Sequence, residues 1–186
     1  LYRFAATASD GVSTVPVTRW DADDSSPDME EALVVRVRHG AFLRSSSISF
    51  DDHAFGISHA EAHAMDPQQR LVLEDGYAAL HASGVVRSDL SGSGTGVALG
   101  IYAIDFAQIL AQSPLARSVY ASANSLSIAS GRVSFALGLN GPCMSIETVC
   151  SASLVACHSA VRALQHNECT SHLAMGVNLM LSQVNS

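Results

Sequence analysis

The residue best placed for covalent chemistry is Cys150, within the stretch GPCMSIETVCSASLVACHSAVRALQ that runs from Gly141 to Gln165. The residues before it favour a short extended segment, and those after it have helical spacing. A thiol at such a junction lies beside unpaired N–H groups and the positive end of the helix dipole, which stabilise the nucleophilic thiolate. The pattern therefore predicts a nucleophile, with room for a substrate beside the small residues 151–153. A buried, unreactive cysteine is the alternative.

Two patterns of histidine and cysteine suggest metal ligation. The stretch HNECTSH places His166, Cys169 and His172 at three-residue spacing, but it offers no fourth ligand for zinc. The stretch HAEAH places His59 and His63 four residues apart, without the adjacent glutamate of the H-E-x-x-H motif. We therefore predict no metal site, and we expect the second pair to be surface histidines.

Two further motifs have simpler interpretations. His158 follows Cys157, but neighbouring residues of a helix do not face each other, so this pair predicts no catalytic dyad and His158 is interpreted as a packed helix residue. The stretch SGSGTG lacks the GK[ST] of a phosphate-binding loop and precedes a strand rather than following one, which is typical of a turn.

The composition excludes several classes of function. The chain has 186 residues, of which 48% are hydrophobic and 15% charged, and this is typical of one globular domain. The net charge of −7 and the scattered basic residues argue against nucleic acid or an anionic membrane as a partner. No segment reaches the roughly 18 apolar residues of a membrane span, and the start of the chain does not resemble a signal peptide. The four cysteines are expected to be reduced, which favours a cytoplasmic location with a plastid as the alternative.

The clearest helix signal follows a loop-rich segment predicted over residues 1–31. Asp66 is a plausible N-cap, Pro67 suits the first helical position and Gly84 suits the position after the helix end. One face of this helix is expected to present Val72, Gly76, Ala79 and Leu80.

The rest of the chain alternates between strands and helices. Strands are predicted at about 96–103 and 172–181, a short extended segment at 143–149, and helices before Gly138 and after Cys150. The last helix has Leu154, Val155, His158, Val161, Arg162 and Gln165 at helical spacing. Such alternation predicts an α/β layered fold.

Four stretches resemble β-ketoacyl synthases, in particular the ketosynthase domains of modular type I polyketide synthases. They are VPVTRWD, FGISHAEAHAMDPQQRLVLEDGYAAL, SIASGRVSFALGLNGP and SIETVCSASLVACHSAVRALQHNECTSHLAMGVNLML. They occur in the family's order, and the match covers most of residues 12–182. The resemblance implies a thiolase-like α/β fold, in which residues 1–186 form an incomplete N-terminal half of the domain. Within it, residues 141–182 would be the strand–helix–strand block of the active site.

The resemblance also implies the chemistry. Cys150 would accept an acyl group from the phosphopantetheine thioester of an acyl carrier protein, with its own backbone N–H as an oxyanion donor. A malonyl-type extender would then lose CO₂ and attack the acyl-cysteine. The chain itself would bind no cofactor and no metal, and the enzyme would be a homodimer through the region of the active-site strand.

This sequence departs from the family pattern at several positions. Glu147, Val149 and Ala152 replace the usual Asp, Ala and Ser, and the bulk of Val149 is expected to affect the fit of the acyl chain. None of the eight histidines lies in a motif that matches the two catalytic histidines of the family's C-terminal half. A non-catalytic fragment is therefore the first alternative. A cysteine hydrolase and a thiolase that uses CoA substrates are less favoured.

Overall fold

The computed structural model describes residues 6–17, 19, 38–42, 49–102, 105–113 and 124–181. The chain divides into two compact units, one of residues 1–47 with 180–186 and the other of residues 48–179. In the first unit, strand β1 (Val12–Thr14) pairs antiparallel with β2 (His39–Ala41). Strand β1 lies inside residues 1–31, which the sequence predicts to be loop-rich. The local sequence does not indicate this strand, because its pairing partner β2 lies more than 20 residues later in the chain. Most of the acidic stretch of that segment lies outside the described residues.

The second unit contains the remaining helices and strands of the described residues. In chain order they are a 3₁₀ turn (His53–Phe55), α1 (His59–Ala64), α2 (Pro67–Ala82), α3 (Arg87–Leu90), β3 (Thr95–Ile101), α4 (Asp105–Ala111), α5 (Leu126–Leu137), β4 (Cys143–Ile146), a second 3₁₀ turn (Val149–Ser151), α6 (Ala152–Gln165) and β5 (Ser171–Val177).

Strands β3, β4 and β5 form a parallel sheet in the order β4-β3-β5. This confirms the α/β alternation, although the sequence predicts that both long strands extend further. Strands β3 and β5 end together because Ile101 is paired with Val177. Every residue of β3 is buried, as expected for a central strand covered on both faces.

One face of the sheet carries large side chains and the other carries small ones. Val97, Leu99, Ile101 and Leu173 belong to the hydrophobic core, which also includes side chains of α2 and α5. The alternate residues of these two strands are Gly96, Ala98, Gly100, His172, Ala174 and Gly176, of which Gly100 and Gly176 lie against α6 and Gly96 lies against His172. Because side chains alternate between the faces of a strand, this pattern assigns the small residues to the α6 side.

Helix α6 buries its smallest side chains. Its buried residues are Ala152, Ala156, Ala160 and Ala163. The set noted from the sequence is instead largely exposed, including Leu154 at 73% and Val161 at 50%. The interpretation of His158 as a packed residue is wrong, since this side chain is also exposed. Because α6 lies close to the glycines of β3 and β5, only side chains as small as alanine fit between the helix and the sheet.

Two glycines bring the N-terminal turn of α6 against the strand ends. A Cβ atom on Gly100 would lie 2.5 Å from the carbonyl carbon of Ala152 and 2.6 Å from the backbone nitrogen of Ser153. A Cβ atom on Gly176 would lie 2.5 Å from the Cβ of Ser153. Real Cβ atoms do not approach other atoms so closely, so both positions require glycine.

The start of α2 follows the prediction. Asp66 Oδ1 accepts a hydrogen bond from the backbone N–H of Gln68 (2.8 Å), Pro67 occupies the first turn and Gly84 has a φ of +89°. The predicted helix face is correct except at Ala79, which is exposed, whereas Leu73 is fully buried.

A buried polar network surrounds this helix start. Asn124 accepts from the N–H of Asp66 (2.7 Å) and donates to the carbonyl of Ala64 (2.7 Å). Gln68 accepts from the N–H of Leu179 (3.1 Å), and Gln69 accepts from Arg132 Nε (2.7 Å). The glutamines of the DPQQR stretch therefore connect α2 to α5 and to the segment that follows β5.

The capping role of Asp66 gives a first prediction. Asp66→Ala should lower the free energy of unfolding by about 1 kcal/mol because the N-cap is lost, whereas Asp66→Asn keeps a capping oxygen. Burial raises the pKa of Asp66 above its ordinary value, so its protonation favours the folded chain and this stabilisation is lost as the pH rises through the folded-state pKa. The advantage of Asp66→Asn over the wild type should therefore grow from acidic to neutral pH in equilibrium urea unfolding. A constant difference would contradict this account.

The close approach of α6 gives a second prediction with a matched control. Gly100→Ala forces the backbone of α6 away from β3, and we expect a loss of about 1–3 kcal/mol in the free energy of unfolding. Gly131→Ala, in helix α5, places its methyl group in open space and should stabilise by about 0.5–1 kcal/mol. Thermal unfolding of the two variants should show shifts of opposite sign. Equal shifts would contradict the close approach of α6 to β3 at Gly100.

Candidate active site at the strand ends

The candidate site lies at the carboxyl edge of the parallel sheet. Strand β4 ends at Ile146, the 3₁₀ turn follows two residues later, and α6 starts directly after it. The same edge carries the ends of β3 and β5. In open α/β sheets, ligands bind outside the carboxyl ends of the strands, so the topology favours a binding site here.

Cys150 is the central residue of the 3₁₀ turn and is exposed. Ser151 fixes the turn, because its hydroxyl donates to the carbonyl oxygen of Thr148 (2.8 Å) and lies within hydrogen-bonding distance of the Thr148 hydroxyl (3.0 Å). The backbone N–H of Ser151 also donates to that carbonyl (3.2 Å). The Cys150 thiol is therefore held on a hydrogen-bonded turn directly before α6. This is the strand-to-helix junction that the sequence predicts.

The residue before the cysteine has a strained backbone. Val149 has a φ of +51°, in the left-handed region that β-branched residues rarely adopt. Such a conformation costs on the order of 1–3 kcal/mol and is concentrated at functional sites. It resembles the sharp strand-to-helix turn that exposes the nucleophilic serine in α/β-hydrolases. The sequence identifies the bulk of Val149 but not this conformation.

A cleft of about 460 Å³ opens beside the thiol. Its lining is mainly apolar or backbone, which suits an acyl chain more than a charged substrate. The lining residues are Gly100, Ile101, Tyr102, Val149, Cys150, Ala152, Ser153, Gly176, Val177 and Asn178. The lining residues of β3 and β5 carry no chemical motif in the sequence, although Gly100 and Gly176, one inside each predicted strand, are a signal for a close contact there.

The backbone N–H of Cys150 is available as a donor. None of the hydrogen bonds found among the described residues uses it. An oxyanion hole needs such free N–H groups beside the nucleophile, and the geometry is therefore compatible with the predicted donor.

The described residues that line the cleft include no histidine. His158 lies on the outer face of α6 beside Cys157, which is also exposed. No hydrogen bond or ion pair found among the described residues joins a histidine to Cys150. General-base chemistry by a histidine on this thiol therefore has no structural support within the described part of the chain.

The candidate zinc ligands do not form a cluster. Cys169 is buried, and His166 lies 3.0 Å from Arg162 Nη2 on the surface. His172 is half-buried, and burial lowers its pKa below the ordinary value. Across the described residues, no three side chains of the ligating types come together. His59 and His63 are exposed, as predicted, and they contact each other.

All four cysteines have free thiols. The helices in the described ranges are too short or too polar to span a bilayer.

Comparison with known proteins identifies relatives that match nearly the whole chain. Residues 2–186 match the family model for the β-ketoacyl synthase N-terminal domain. The chain is 42% identical over 183 residues to polyketide synthase GfsB of Streptomyces halstedii, and 38% identical over 185 residues to the mycocerosic acid synthase-like polyketide synthase of Mycolicibacterium smegmatis. Each alignment covers 97% of the chain but only 3% and 9%, respectively, of the two relatives.

Solved structures give the same result. A mutant form of the ketosynthase from module 6 of the bacillaene synthase of Bacillus subtilis 168 superposes with a TM-score of 0.86 at 31% identity. The oxazolomycin ketosynthase domain of Streptomyces albus superposes with a TM-score of 0.83 at 30% identity. Each covers 99% of this chain, which spans 30% and 32% of the two structures. The fold is therefore thiolase-like, and the chain belongs to the β-ketoacyl synthase family, whose N-terminal domain it matches.

Proposed function

We propose that Cys150 is the acyl-accepting nucleophile of a β-ketoacyl synthase and that its substrates are thioesters on the phosphopantetheine arm of an acyl carrier protein. The observation that carries the proposal is the exposed thiol on a strained turn, at the start of a helix and beside an apolar cleft. Membership of the family supports the reaction class, and the position of Cys150 on the turn supports its assignment as the nucleophile.

The transfer step uses groups of this chain. The Cys150 thiolate attacks the carbonyl carbon of the carrier thioester, and the resulting oxyanion accepts a hydrogen bond from the Cys150 N–H. Collapse breaks the bond to the phosphopantetheine sulfur, which leaves as a thiolate and takes up the proton that Cys150 lost. The product is an acyl-cysteine with its chain in the cleft.

The second half-reaction forms the carbon–carbon bond. A malonyl-type extender on a carrier loses CO₂, and the carbanion displaces Cys150 from its acyl group to give a β-ketoacyl product. By the family resemblance, this step depends on two histidines of the C-terminal half. No histidine of this chain matches them, so we assign acyl transfer to this chain and condensation to the complete domain.

The outer face of α6 supports this division. Leu154, Val161 and Leu164 are 73%, 50% and 39% exposed on a helix whose inner face is alanine. Large exposed apolar surfaces mark contacts with another protein surface. We assign this face to the second half of the ketosynthase domain.

The edge of β4 supports a homodimer through the active-site strand. In the described sheet, β4 has β3 on one side and no strand on the other, and its first two residues, Cys143 and Met144, are exposed. An unpaired strand edge offers N–H and C=O groups to a second chain. The position next to Cys150 would bring two active sites close to one dimer axis.

Two other enzyme classes fit less well. A cysteine hydrolase requires a histidine in contact with the nucleophile, and the described lining of the cleft offers none. A CoA-dependent thiolase is disfavoured because the similarities in sequence and structure given above are to polyketide synthases and their ketosynthase domains.

The assignment of Cys150 is tested by acyl transfer. The protein is incubated with an acyl carrier protein that carries a short acyl chain. Its mass should increase by one acyl group, and peptide mapping should locate this group on Cys150. Cys150→Ala should abolish this gain. Cys157→Ala, which removes another exposed thiol of the same region, should leave it unchanged.

Alkylation provides a readout that does not need the carrier. Iodoacetamide at neutral pH should modify Cys150 faster than the exposed Cys143 and Cys157, and the buried Cys169 should react slowest. Equal rates at the three exposed thiols, together with no acyl gain, would eliminate Cys150 as the nucleophile.

The dimer is tested on the strand edge. Met144→Lys places a charge on β4, and sedimentation equilibrium should show dimerisation at least ten-fold weaker than in the wild type. Val86→Lys, an exposed apolar position away from the sheet, is the control and should have no effect. An unchanged dimer in Met144→Lys would place the interface elsewhere.

A further inference from the structure

The proposed reaction leaves the histidine pair of α1 unused. His59 and His63 lie four residues apart on one helix face, and their Nε2 atoms are 3.1 Å apart. Their rings meet at an angle of 74° with centroids 4.5 Å apart. Both side chains are exposed, and neither lines the cleft of Cys150.

Asp52 fixes the tautomer of the first histidine. His59 Nδ1 lies 3.0 Å from Asp52 Oδ2, and an ionised carboxylate can only accept, so the ring carries its proton on Nδ1. The Nε2 of neutral His59 therefore presents a lone pair. Asp52 is itself held in place, because its Oδ1 accepts from the N–H of His53 (2.8 Å) and its side chain is 13% exposed. A carboxylate that orients the far side of an imidazole is the usual companion of a metal-bound histidine.

The separation of the two nitrogens fits a shared metal ion. Imidazole nitrogens bind zinc at about 2.0–2.1 Å, so two of them on one ion are separated by about 2.9 Å at a right angle and about 3.4 Å at the tetrahedral angle. The observed 3.1 Å lies within this range. Without metal, the Nε2–H of His63 donates to His59. With metal, His63 would carry its proton on Nδ1, so no net proton is released.

A cavity of about 220 Å³ adjoins the pair and gives room for solvent ligands. Asp52 contributes a negative charge to its lining and Arg70 a positive one. Burial lowers the pKa of Arg70, and electrostatic interaction with Asp66 and Glu74 partly opposes this effect. The cavity is therefore not dominated by positive charge.

In contrast to the expectation from the sequence alone, we propose that His59 and His63 bind a divalent transition-metal ion that favours imidazole ligands, such as Ni²⁺ or Zn²⁺, through their Nε2 atoms. Asp52 orients His59, and water fills the remaining coordination positions. Because no third protein ligand comes together with the pair in the described residues, the site holds an exchangeable ion rather than a structural one.

Calorimetric titration of the untagged protein with Ni²⁺ tests the site, since imidazole binds this ion well while free thiols favour softer ones. The wild type should bind one ion at the pair. His63→Gln and His59→Gln should each weaken binding at least ten-fold, and Asp52→Asn, which keeps an acceptor for the His53 N–H, by about ten-fold. His158→Gln, which removes an exposed histidine elsewhere, should bind as the wild type does.

Two outcomes would overturn the proposal: no binding by the wild type, or equal affinity in the wild type and His63→Gln. A spectroscopic measurement on the wild type avoids any dependence on variant folding. In ¹⁵N-labelled protein, paramagnetic Ni²⁺ should broaden the imidazole signals of His59 and His63 before those of the other histidines. Uniform broadening of all histidines would show adventitious binding and reject the site.

Discussion

The close contact between α6 and the sheet is the constraint on which the rest of the site depends. Gly100 and Gly176 remove the side chains that would separate the helix from β3 and β5, and alanines on the helix complete a contact of small residues. Since β4 leads into the same helix through one short turn, the depth of this contact sets where Cys150 lies. The strand ends, the thiol and the cleft are thereby brought to one edge.

The opposite face of the sheet is stabilised by a different kind of interaction. There, Val97, Leu99 and Ile101 pack with the core side chains of α2 and α5, and hydrophobic burial is the main stabilising force. Polar side chains then fix the position of α2 through hydrogen bonds that are buried, including those of Asp66 and Asn124. One face thus contributes hydrophobic stability, while the other allows the close approach that positions Cys150.

Strain at Val149 is compatible with this arrangement because both sides of the turn are fixed. Strand β4 is paired in the sheet, and its neighbour α5 is joined to it by the hydrogen bond between the hydroxyls of Ser145 and Ser130 (2.9 Å). After the turn, α6 is held against the strand ends. A valine keeps a left-handed backbone conformation only where the surrounding structure fixes the chain on both sides. The free energy that this conformation costs is offset by packing elsewhere in the fold.

Sequence patterns are enough to predict the family, the α/β alternation, the cap at Asp66, the helix end at Gly138 and the position of Cys150 at a strand-to-helix junction. These are local patterns or long motifs, which depend on residues close together in the chain. The buried face of α6 could not be predicted in this way, because it depends on Gly100, far before the helix in sequence, and on Gly176 in the strand after it. For the same reason, helical spacing alone assigns Leu154 and His158 to the wrong side. The cleft lining contributed by β3 and β5 also depends on packing between distant segments, which no local pattern encodes. The left-handed conformation of Val149 and the contact of His59 with Asp52 are local features, but residue spacing does not indicate them.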